Sequence, residues 1–121
     1  MNTVQTDIDR VPPLPSKLKV LLADYPEILQ ELQDALVDVM RSKSLEPPFE
    51  FALWRLEDIL SHHMINAGAE LRSAKEHGDP KAIEVATEKD RVMSRARSMN
   101  SGLSDLHELF DFFTENKDAW K

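Results

Sequence analysis

The chain is predicted to be all-α, an antiparallel three-helix bundle with a long hairpin between its second and third helices. Three observations carry that prediction. Apolar residues recur at alternating spacings of three and four over most of the chain, the period of a helix with one buried face. Three glycines, one tyrosine and few Val or Thr outside those patterns leave little material for a sheet. The run His77-Gly78-Asp79-Pro80 supplies, in order, a stop, a permissive glycine, a cap and a first-turn proline.

Residues 1–14 are polar, then proline-rich, and lack a period, so they read as a flexible arm ahead of a helical domain over 15–121. Where the arm meets the domain, Pro12-Pro13-Leu14-Pro15 suits a stiff polyproline lead into the first helix. That helix is predicted over 15–43, on Leu18, Leu22, Tyr25, Leu29, Leu32, Leu36 and Val39. Pro26 interrupts it by removing a donor and crowding the preceding turn, so a kink or restart is expected there, with Asp24 available as a cap. Residues 44–48, SLEPP, form a linker whose paired prolines suit a helix start. The second helix is predicted over 48–77, its seam running from Phe49 through Leu53, Leu56, Leu60 and His63 to Ala67, Leu71 and Ala74. The third is predicted as one helix over 80–116: its pattern, Ala82 to Val92, Ala96, Met99, Leu103, Phe110 and Phe113, keeps phase across Gly102. Short connections favour antiparallel neighbours. The hairpin should therefore have a thin alanine seam at its tip and a bulky base at Phe49, Leu53, Phe110 and Phe113.

With 121 residues the chain is one domain by length, large enough to bury about two-thirds of its unfolded surface without staples. It has no cysteine, which excludes disulfides and thiolate metal sites and fits a reducing, cytoplasmic setting. The first ten residues lack the basic start and apolar core of a signal peptide, and no apolar run approaches the ~20 residues that span a bilayer. A net charge of −7 argues against nucleic acid or an anionic membrane as partner, since phosphate binding needs a basic surface.

Several motifs bear on chemistry. Asp24, Glu27, Glu31, Asp34 and Asp38 step by three and four along one face of the first helix, opposite the leucines. This is a solvated face or a docking surface for a basic partner, with an acidic inhibitor or mimic as its special form. Glu31-Leu32-Gln33-Asp34 resembles half of the magnesium motif of the all-α nucleotide pyrophosphohydrolases of the MazG type. That resemblance implies a second carboxylate cluster on a preceding helix, and nothing upstream of residue 15 provides one. His62 and His63 are adjacent and point about 100° apart, poor spacing for one metal ion. Residues 62–69, HHMINAGA, resemble the phosphoacceptor helix of histidine phosphotransfer domains. The resemblance would make His63 the acceptor and Ile65 its apolar neighbour; Asn66 stands where that family has a lysine. Otherwise His63 is a seam histidine bonded to a neighbour. Lys89, Arg91, Arg95 and Arg97 form a basic patch without interleaved aromatic residues, suited to pairing with the acidic stripe in one chain or across a dimer.

Seven of the eight aromatic residues fall in two stretches, Phe49 to Trp54 and Phe110 to Trp120, which a hairpin brings to the same end. Phe49, Phe110 and Phe113 fall on the seams. Phe51, Trp54 and Phe112 fall roughly opposite, and Trp120 lies on the tail. Exposed aromatic groups carry much of interface energy. The expected function is therefore non-catalytic and regulatory: binding another protein, or a second copy as a homodimer, through Phe51, Trp54, Phe112 and Trp120 and the acidic face. No complete catalytic constellation, metal set or cofactor motif is present in the sequence.

Overall fold

The computed structural model describes residues 11–42 and 48–115. Among these, five helices pack together and no strand occurs: α1 (Ser16–Leu21), α2 (Pro26–Arg41), α3 (Pro48–His77), α4 (Pro80–Arg97) and α5 (His107–Glu115). None of them is long and apolar enough to cross a membrane.

The first predicted helix is two. α1 closes at Leu21, and α2 restarts with Pro26 in its first turn, where a missing N–H goes unnoticed. Asp24 is not the cap: Tyr25 holds that position and no side chain caps the turn. The expected apolar face survives the break, with Leu18, Leu22, Leu32, Leu36 and Val39 all buried. The lead-in packs too. Leu14 joins the core, Pro12 and Pro15 are fully buried, and the Pro12 carbonyl accepts a 2.7 Å bond from Gln33 Nε2. Of the arm read over 1–14, residues 1–10 lie outside the described residues, as do residue 43 at the end of the first predicted helix and 44–47 of the linker.

α3 has the bounds the sequence predicts. Gly78 adopts φ 75°, the left-handed turn that only glycine takes without strain, and Asp79 caps α4 by accepting from the Lys81 N–H at 3.1 Å. The helices then run back antiparallel close to the predicted register: Lys89 meets Glu70 at 3.3 Å, and Arg97 Nε donates to Ser61 at 2.8 Å. The tip is thin as expected, with Ala67 and Ala86 buried and Ala74 and Ala82 half-buried. Gly68, mid-helix, has room for a methyl group, whose nearest neighbour would be Asp90 Oδ1 at 3.8 Å. Gly68→Ala should therefore raise stability by up to about 1 kcal/mol, read as a higher urea midpoint with unchanged slope.

The third predicted helix is also two, against the single helix that the phase suggests. α4 stops at Arg97, and residues 98–106 wrap its end. The Gly102 N–H bonds the Arg95 carbonyl at 2.9 Å and the Leu103 N–H bonds that of Ser98 at 2.9 Å. Serine hydroxyls compete for the same backbone: Ser98 Oγ accepts from Asn100 N at 3.0 Å, and Ser104 Oγ donates to the Ser101 carbonyl at 2.6 Å. Leu103 plugs the corner and is fully buried. Ser16 Oγ donates to Asp105 at 2.7 Å, tying α1 to this loop. The break resets the phase. Leu109 and Phe113 of α5 enter the core, while Met99 and Phe110, both expected on the seam, stay exposed.

Candidate protein-binding surface

The first turns of α3 carry Phe49, Phe51 and Trp54, spaced so that they spread around the helix. Phe49 leans on α5 and meets Phe110 edge to face, ring centres 5.1 Å apart at 84°. Phe51 and Trp54 turn toward α2 and stack, 6.1 Å apart at 19°. The described members of both aromatic stretches therefore do reach one end of the molecule, but Phe49 and Phe51 lean on different neighbours of α3.

Exposure separates their members. Trp54 is 57% exposed, as expected from the helical wheel. Phe51 and Phe112, expected on the open side, are half-buried against the core, because the end of α2 covers the first and α5 turns the second inward. Phe112 packs edge to face on Phe113. Trp120 lies outside the described residues. Phe110, which the unbroken seam places inward, is 49% exposed. Restarting the phase at Leu106, with Leu109 and Phe113 inward, would have found it.

A groove of about 320 Å³ lies beside Trp54, lined by Phe51, Val39 and Ser42 with Asp38 and Arg55 at its rim. Asp38 and Arg55 also border a larger groove of about 600 Å³ between α2 and α3. Its α2 wall carries Glu27, Glu31, Asp34 and Asp38; its α3 wall carries Arg55, Asp58 and His62; Ala35 and Ile59, both buried, line it between them. The acidic stripe of the sequence is thus one wall of a cleft. Asp24 is exposed, precedes α2 and does not line it.

His63 crosses between the helices. Its Nε2 lies 2.7 Å from Glu31 Oε1, with the side chain 22% exposed, so it is a half-buried seam histidine bonded to a neighbour. A carboxylate only accepts, so Nε2 carries the proton here. That leaves the nitrogen engaged with a negative group, an arrangement that would repel an incoming phosphoryl. His62 is exposed with its ring 6.2 Å from that of His63. Among the described residues no three His, Asp or Glu side chains converge as metal ligands, and Glu31 and Asp34 gain no carboxylate cage.

The basic patch does not pair with the stripe inside the chain. Lys89 reaches Glu70 on α3, Arg97 reaches Ser61, and Arg91 Nε donates to Glu88 on its own helix at 3.2 Å. The hydrogen bond from Arg91 holds the Glu88 carboxyl below the usual range, and Glu88 raises the Arg91 guanidinium in return.

No family model matches the chain, and neither a curated protein nor a solved structure matches it.

Proposed function

We propose that this chain is a non-catalytic protein-binding module whose contact surface is centred on Trp54. In this reading the five helices serve as three antiparallel legs, α1 with α2, α3, and α4 with α5, presenting the first turns of α3 at one end. The observation that carries it is the exposed, stacked Trp54 beside an apolar groove. A tryptophan left more than half in water forfeits burial worth about 2 kcal/mol or more, and stacking on Phe51 holds it in one orientation. Pre-ordered aromatic anchors of this kind dominate protein interfaces. The partner is another protein or a second copy of this chain.

Trp54→Ala tests the reading because the residue contributes little to the core. The variant should unfold within about 1 kcal/mol of the native chain. It should nonetheless lose self-association on a sizing column, or lose retention of a protein that the native chain holds at matched concentration. A monomeric chain whose Trp54→Ala variant retains every such protein equally would refute the Trp54 surface.

A further inference from the structure

The two grooves between α2 and α3 meet at Asp38 and Arg55, and together they make a trough that is apolar beside Trp54 and acidic beyond it. We infer that this trough binds a basic amphipathic helix of a different protein, an apolar residue of that helix seated on Trp54 and Phe51 and its Lys or Arg side chains set along α2. The inference rests on the Trp54 reading and adds the chemistry of the partner.

Shape comes first. The α2 wall from Glu27 to Ser42 is about 22 Å long at the rise of a helix, the length of a helix of about fifteen residues. Buried Ala35 and Ile59 floor the trough between its polar walls, and Phe51 and Trp54 give the apolar seat at one end, the form in which a helix lies in a groove. Charge comes second. Glu27, Asp34, Asp38 and Asp58, with Glu31 bonded to His63, stand against one guanidinium, that of Arg55. Carboxylates at spacings of three and four match a helix with cations at the same spacings and set its register. A second copy is the poorer fit. Each copy carries a net charge of −7, and on its basic patch Lys89, Arg91 and Arg97 are held by Glu70, Glu88 and Ser61 while Arg95 lies in the field of Glu88.

The test uses the full chain with Trp120→Phe, so that Trp54 is the only tryptophan. Its probe is a synthetic eighteen-residue helix (length chosen at ~1.5 Å per residue to span the trough) with leucines along one face and lysines flanking them. Two control peptides accompany it: one of the same composition in scrambled order, one with glutamate for lysine. The helix should bind saturably and shift Trp54 emission to the blue. The scrambled peptide should bind at least about tenfold more weakly, a difference of about 1.4 kcal/mol, and the glutamate peptide not at all. Reversing Asp34 and Asp38 to lysine, or Trp54→Ala followed by calorimetry, should each weaken binding by a similar factor with the circular dichroism unchanged. No binding, equal binding of the scrambled peptide, or unchanged binding after charge reversal would overturn the basic-helix inference. If Trp54→Ala alone then still abolished association with another protein, the Trp54 reading would survive it. A dimer that Trp54→Ala dissolves would give the trough to a second copy and overturn the inference likewise. Loss on charge reversal with none on Trp54→Ala would overturn both.

Discussion

Leu56→Ala should lower the unfolding free energy by about 3 kcal/mol, within the range of about 2–5 kcal/mol for buried leucines, and the melting temperature by roughly 10 °C or more. Leu56 is fully buried on α3, flanked on the inner face of that helix by Ala52, Ile59 and Leu60. α3 packs against α2, α4 and α5, so a hole at its centre is walled by elements that are themselves fixed and cannot all close on it. A small domain holds only about 5–15 kcal/mol in total, so the loss is a large share. Urea unfolding followed by circular dichroism should show a lower midpoint with an unchanged slope. A change below about 1 kcal/mol would mean that α3 is not the centre of the core.

Gly102→Ala is the second large effect, and it acts through the backbone. A Cβ at Gly102 would sit 2.6 Å from the Ala96 Cα and against the carbonyl of the same residue. Backbone cannot swing aside as a side-chain end can, so the loop must lift off the end of α4. Lifting weakens the bond from the Gly102 N–H to the Arg95 carbonyl and withdraws Leu103, which is fully buried. We expect a loss of about 2–4 kcal/mol, combining overpacking with partial exposure of Leu103. Amide exchange should speed up across α5 more than across α3, since α5 hangs from this corner. Gly102→Ala with native stability would show that the corner is looser than the close approach implies.

The sequence makes α3 legible to the residue because local chemistry marks both ends: Pro48 starts it, and Gly78, Asp79 and Pro80 end it and restart the chain. The break at Pro26 was legible for the same reason. The break after Arg97 was not. The apolar phase runs on through Met99, Leu103 and Phe110, and only the serines around Gly102, which bond back to nearby backbone, betray that the helix stops. Once it stops, the rotation of α5 is free to differ, which moved Phe110 outward and Phe112 partly inward. For the site, Trp54 was readable from its place on the wheel. The trough was not, because it depends on how α2 is rotated against α3, and no single-helix pattern contains that angle. Glu31 and His63 lie 32 residues apart in sequence and meet only because both helices face the same cleft.

The most direct measurement pairs stability with binding for one substitution. Native chain and Trp54→Ala are melted side by side and then compared, at equal concentration, for self-association and for retention of a binding protein. Melting temperatures within a few degrees together with loss of association at Trp54 alone are expected. Association that survives the substitution intact, or a variant that unfolds as badly as Leu56→Ala, would contradict a binding surface built on Trp54.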